Sequence, residues 1–130
     1  MFKISFKLSV IFILILVSMV FGVTRTDQTK RIKFAKGKSS ATLRDAVLRE
    51  EVHYYLIKVN QGQRMTVKIT SLEKNASFRI SKPSGGYVPG AGEMEEPTNW
   101  NGNIPESGDY KIEVGADRGN ATYRLTVSVK

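Results

Sequence analysis

"VHYYLIKVNQGQRMTVKIT", Val52 to Thr70, is the stretch whose reading decides the fold class. Its apolar side chains recur at every second position. Tyr55, Ile57 and Val59 fall on one face, with Tyr54, Leu56 and Lys58 on the other; then Met65, Val67 and Ile69 oppose Thr66, Lys68 and Thr70. A period of two places alternate side chains on opposite faces of a strand, one toward a core and one toward water. Between the two runs stands "NQGQ" (60–63), where Gly62 takes positive φ at little cost.

The same period extends outward in both directions. "RIKFAKG" (31–37) alternates Ile32 and Phe34 with Arg31 and Lys33, and reads as a strand ending at Gly37. "ASFRIS" (76–81) carries Phe78 and Ile80; "YKIEV" (110–114) carries Tyr110, Ile112 and Val114; "TYRLTVSVK" (122–130) carries Tyr123, Leu125, Val127 and Val129. "SSATLRDAVLREE" (39–51) fits either a helical turn, through Leu43, Val47 and Leu48, or a strand and turn; the strand is preferred in an all-β context. Residues 81–103 read as one long irregular loop holding three of the four prolines, five glycines and the only Trp. Short strands at regular spacing with turn chemistry between them predict an all-β fold, a single compact, jelly-roll-like antiparallel β-sandwich of about eight strands.

An N-terminal segment precedes the domain. Lys3 and Lys7 are followed by the uncharged run "LSVIFILILVSMVFGV" (8–23), with small residues Val20 and Gly22 placed for cleavage near Gly22/Val23. This pattern predicts a signal peptide over residues 1–22, a flexible segment over 23–29 and a sandwich domain over 30–130. Export to the periplasm or beyond follows, with no membrane span after cleavage and, with no Cys after the apolar run, no lipoprotein anchor. The absence of cysteine throughout argues for a core held by ordinary packing, and for a bacterial source. Removing Lys3 and Lys7 from the 20 basic residues leaves 18 against 12 acidic, a net charge of +6. Residues 25–38 are basic, and 93–113 are acidic through Glu93, Glu95, Glu96, Glu106, Asp109 and Glu113. Such a balance suits anionic envelope polymers or membrane surfaces, or is a solvated basic face kept for solubility; nucleic acid is excluded by export and by the lack of any recognition motif.

Catalytic chemistry is thin, and the chain reads as no enzyme. His53 is the only histidine and sits in the strand pattern beside Tyr55 and Ile57. There is no Cys nucleophile, and neither Ser107 nor Ser84 lies in a nucleophile elbow. One His and no Cys leave no histidine-based zinc site, and no cofactor is implied. The loop carboxylates Glu93, Glu95 and Glu96 cluster without calcium-ligand spacing, and nothing apolar surrounds them to tune one as a glycosidase acid. Asn75-Ala76-Ser77 and Asn120-Ala121-Thr122 match the glycosylation triplet. Binding residues are easier to nominate. Trp100, flanked by Asn99, Asn101 and Gly102, is either a stacking ring for a polysaccharide or a cap on the core. Arg118, in "GADRGN", is a guanidinium on a tight turn that suits an acidic cleft, or an ordinary charged turn residue. Ser107-Gly108-x-Tyr110 is a binding loop or the corner where a strand starts.

With "FAKGKSSA" (34–41), "YLIKVNQGQRMTVKITS" (55–71), "IPESGDYKIEV" (104–114) and "YRLTVSVK" (123–130) in order, residues 30–130 resemble the periplasmic inhibitors of goose-type lysozyme. The resemblance implies a β-sandwich that blocks a lysozyme cleft with loops, with Ser107, Gly108 and Tyr110 matching the family's Ser-Gly-x-Tyr and Arg118 matching a loop arginine. It departs at Thr122, where a second arginine is expected, at His53, where an Asp is expected, and over 82–100. A weaker resemblance, to bacterial pre-peptidase C-terminal domains, implies a polysaccharide- or peptidoglycan-binding module. The partner is thus lysozyme or a cell-wall polysaccharide, bound by a monomer or weak dimer.

Overall fold

The computed structural model describes residues 27–130. The expected signal peptide and most of the 23–29 segment lie outside the described residues. Eight strands form two four-stranded sheets packed face to face. β1 (Gln28–Arg31), β3 (Val52–Val59), β7 (Gly108–Ala116) and β5 (Ala76–Ser81) make sheet I in the order β1-β3-β7-β5; β2 (Ser40–Val47), β8 (Ala121–Val129), β4 (Arg64–Ser71) and β6 (Asn99–Asn103) make sheet II in the order β2-β8-β4-β6. Each strand lies in the opposite sheet from its predecessor. Every pairing is therefore between strands distant in sequence, and all but the parallel β1–β3 pair are antiparallel.

The alternation read from the sequence points inward as expected. Tyr55, Ile57 and Val59 of β3, Met65, Val67 and Ile69 of β4, Tyr110, Ile112 and Val114 of β7, and Tyr123, Leu125 and Val127 of β8 fill the space between the sheets. Each aliphatic side chain so buried stabilises the fold by about 1.5–3 kcal/mol. Residues 39–51 hold strand β2, paired with β8 along its whole length.

Two expectations need correction. The alternation at 31–37 is not a strand: β1 ends at Arg31, and after the Ile32 N–H donates to the Leu56 carbonyl the chain crosses to sheet II. Ile32 and Phe34 alternate because they close that end of the core, not because the segment pairs. The 81–103 loop contains β6, whose partner β4 is some 30 residues earlier and leaves no local trace. The rest of that connection runs along the free edge of β5. Phe78 N–H donates to Pro97 O, Ile80 N–H to Ala91 O and Val88 N–H to Ile80 O, so this sheet edge is covered.

Candidate functional site

Four connections between the sheets share one form. Residues 48–51, 60–63, 72–75 and 117–120 are each four-residue arches, and in each the third residue has positive φ: Glu50 (63°), Gly62 (88°), Lys74 (53°) and Gly119 (58°). The tight turn carrying Arg118 is thus not a hairpin within one sheet but a bridge from β7 in sheet I to β8 in sheet II. Three arches, 48–51, 72–75 and 117–120, lie at one end of the sandwich. Two use non-glycine residues in the left-handed region, a conformation costing about 1–2 kcal/mol each, so the surrounding contacts must hold them.

Those contacts are explicit. The buried Asn75 amide donates to the carbonyls of Arg118 and Asn120, both at 3.0 Å, and Asp117 N–H donates to Asn75 O at 2.7 Å. Arg49 N–H donates to Asn120 Oδ1 at 2.8 Å. Arg118 Nη2 donates to Glu73 O at 2.7 Å, which fixes the guanidinium while its remaining donors face solvent. Three arches are thereby laced into one rigid, protruding end. The same bonds occupy both candidate glycosylation asparagines: Asn75 is fully enclosed, and Asn120 is engaged by Arg49. Beside this end, on the sheet I side, is a groove lined by five carboxylates, Glu50, Glu51, Glu96, Glu113 and Asp117, and one cation, Arg79, over Gly115.

Beneath the arches runs a buried polar chain. The Tyr55 and Tyr123 hydroxyls are hydrogen-bonded to each other, Tyr123 OH lies 2.7 Å from His53 Nδ1, and His53 Nε2 lies 3.1 Å from Glu51 Oε1. One assignment satisfies every atom: Tyr55 donates to Tyr123, Tyr123 to Nδ1, and Nε2–H to the Glu51 carboxylate. No buried side-chain nitrogen or oxygen among the described residues lacks a partner. Burial raises the Tyr55 phenol above its ordinary value and the Tyr123 phenol well above it. At the edge of this chain, burial pushes Asp45 upward, but the Ala46 N–H and the Lys30 ammonium outweigh it and leave that carboxylate below its usual value. His53, 1% exposed, is a core residue with both nitrogens engaged.

Ser107, Gly108 and Tyr110 lie at the other end. β7 separates Ser107 from Arg118 and is nine residues long, about 27 Å end to end at about 3.4 Å per step. The two nominated groups therefore do not form one surface. Ser107 Oγ accepts from Gln61 N–H at 2.8 Å, stitching residues 104–107 to the 60–63 arch. Tyr110 is fully buried; its hydroxyl donates to Glu106 O at 2.7 Å and accepts from Glu106 N–H at 3.3 Å, a tyrosine corner that sets the entry into β7. Gly108 has φ 145°, and a Cβ there would sit 2.8 Å from Pro83 Cβ and Cγ. Gly108 and Tyr110 are both committed to internal contacts, the strand-corner side of the motif's two readings.

Trp100 lies in the core cluster. It is 9% exposed, its Nε1 donates to Pro89 O at 2.8 Å, and its ring lies over Gly102, where a Cβ would fall 2.5 Å from Trp100 Cζ2. A ring so enclosed offers no face to a sugar. The acidic 93–113 stretch is dispersed: Glu96 and Glu113 line the groove near the arches, whereas Asp109 pairs with Arg31 through two bonds of 2.9 and 2.7 Å, and Glu106 binds Ser84. Hydrogen bonding holds the Asp109 and Glu106 carboxyls below their ordinary range. Glu95 accepts from Gly92 N–H and Glu93 lies 3.6 Å from Arg79. Among the described residues no group of three or more His, Cys, Asp or Glu is placed to hold a metal ion, and no helix is long and apolar enough to cross a membrane. Sequence reasoning allowed a turn at the end of 39–51 without placing its left-handed residue and missed the 72–75 arch, since Glu50 and Lys74 carry no signature of positive φ.

The architecture defines a β-sandwich with one rigid end built from cross-braced arches. No protein-family model and no curated protein matches the sequence. Solved structures do. Aeromonas hydrophila PliG, a periplasmic lysozyme inhibitor of g-type lysozyme, superposes with a TM-score of 0.69 at 32% identity, over 82% of this chain and 100% of that one. Salmonella Typhimurium PliG, described in the same words, gives 0.64 at 18% identity, over 81% and 100%. The pre-peptidase C-terminal domain of a Bacillus anthracis collagenase gives 0.58 at 18%, over 82% and 99%, a likeness of fold alone. With a third of its residues identical to the Aeromonas protein across that protein's full length, the chain belongs to the family of periplasmic inhibitors of g-type lysozyme.

Proposed function

We propose that the protein is a non-catalytic, periplasmic inhibitor of g-type lysozyme that presents its three-arch end to the enzyme's cleft. Family membership, through the Aeromonas relative, carries the reading. The braced arches support it physically, because a loop already held in its bound shape loses little entropy on association. Arg118 is the anchor. One of its nitrogens is spent on Glu73 O, which aims the planar fork outward toward a carboxylate. The adjacent acidic groove gives a protein of net positive charge a local surface able to meet a basic enzyme. Ser107 keeps its stitching role at the opposite end.

The test is protection of a lysozyme-sensitive cell suspension from lysis, with g-type and hen-type enzymes run in parallel. Protection against the g-type enzyme is expected, with Arg118→Ala weakening it at least about 30-fold, as for a hot-spot residue, at a near-native Tm. No protection at excess protein overturns the reading; undiminished protection by the variant removes Arg118 from the interface.

A further inference from the structure

The two outer faces of the sandwich treat charge differently. On sheet I, Arg31 pairs with Asp109, Arg79 with Glu93 and Glu113, and Lys111 with Glu113. On sheet II the outward positions include four cations, Arg44, Arg64, Lys68 and Arg124, and no carboxylate. Arg44 and Arg124 are direct cross-strand partners in the β2–β8 register, which sets their Cβ atoms about 5 Å apart. Like charges so opposed destabilise a sheet. Among the described residues neither guanidinium has an ion-pair or hydrogen-bond partner. Among these residues the pair is uncompensated.

What surrounds the pair indicates what would compensate it. Thr70 stands beside Arg124 on the opposite strand, and Thr70, Thr122 and Leu72 line a shallow concavity with both arginines. Leu72 is 93% exposed. Two guanidinium forks with flanking hydroxyls match the oxygens of a phosphate group. A bare leucine on the rim of a cationic patch matches the boundary between headgroups and acyl chains. The outward positions of sheet II include no aromatic residue, so a sugar ring would find nothing there to stack on. We propose that this corner of sheet II docks on an anionic phospholipid surface, with Arg44 and Arg124 sharing a headgroup phosphate and Leu72 entering the interface.

The test is flotation of the purified protein with mixed phosphatidylglycerol–phosphatidylcholine vesicles and with phosphatidylcholine alone. Binding is expected only to the mixed vesicles, and to fall as salt rises. Each cation near such a surface contributes about fivefold, so the double variant Arg44→Gln, Arg124→Gln binds about 25-fold more weakly, with a Tm at or above that of the parent. Leu72→Ser weakens binding without altering its salt dependence. Equal binding to neutral vesicles, no binding to either, or undiminished binding by the double variant overturns the proposal. Inorganic phosphate that perturbs the guanidinium resonances while vesicles fail to bind assigns the pair to a soluble anion and overturns the lipid assignment.

Discussion

Replacing Gly108 by alanine separates the two readings of Ser107-Gly108-x-Tyr110. The substitution meets two obstacles. At φ 145° a side chain enters a region that L-residues rarely adopt, at about 1–3 kcal/mol. The new methyl would lie 2.8 Å from both Cβ and Cγ of Pro83, and overpacking of this kind costs about 1–3 kcal/mol. Pro83 cannot swing aside freely. Its loop is closed by Gly85 N–H to Lys82 O and Lys82 N–H to Gly86 O, and Ser84 is tied to Glu106 through both its N–H and its hydroxyl. Together the costs come to about 4 kcal/mol, and a domain of this size loses roughly 4–8 °C of Tm per kcal/mol, so Tm falls by about 15–30 °C. Circular-dichroism melts measure this, with lysozyme protection assayed well below the lowered Tm. Pro83→Ala in the Gly108→Ala background removes the clash and not the backbone strain, so it recovers about half of the loss, as a double-mutant cycle would show. A fall of less than about 3 °C, or no coupling to Pro83, refutes the steric account. Lost protection at an unchanged Tm returns the motif to the binding surface.

Tyr123→Phe leaves both His53 Nδ1 and the Tyr55 hydroxyl without a partner; at about 1–3 kcal/mol per buried unpaired group, the urea midpoint falls by the equivalent of about 2–6 kcal/mol, and Tyr55→Phe in the same background recovers part of it. Asn75→Ala removes the two bonds that hold the 117–120 arch, so the lysozyme complex dissociates faster while β3–β7 amides keep their hydrogen-exchange protection. Burial raises the Tyr55, Tyr110 and Tyr123 phenols above the ordinary value. Because the folded state favours their neutral form, this stabilisation is complete below pH about 10 and is lost as pH rises beyond it. In an alkaline titration these three tyrosines ionise together with unfolding; tyrosinate absorbance that saturates before the circular-dichroism transition contradicts their burial.

The arches connect fold to function. Strands that alternate sheets at every step force each tight connection to span the gap between sheets, and at one end three such connections meet. Their main-chain groups then satisfy one another through Asn75, Asn120 and Arg118 rather than through water. The exposed end is consequently stiff without a disulfide.

The sequence by itself determined the strands that alternate strongly and the faces they bury, because period two reports directly which side chains meet the core. It also determined the turns whose left-handed residue is glycine, Gly62 and Gly119, and carried the family through motifs spread over residues 30–130. Only the tertiary structure decided the rest. Glu50 and Lys74 take left-handed conformations that their side chains disfavour, held by bonds to other arches. β6 exists because β4 offers it an edge, while Ile32 and Phe34 alternate without pairing because the chain there changes sheets. Ser107 and Arg118, only eleven positions apart, sit at opposite ends because one straight strand separates them, whereas Arg44 and Arg124, eighty positions apart, become neighbours through register alone. Alternation is a local property that a sequence displays; sheet order and register arise from contacts between distant segments, and those contacts decide which side chains share a surface.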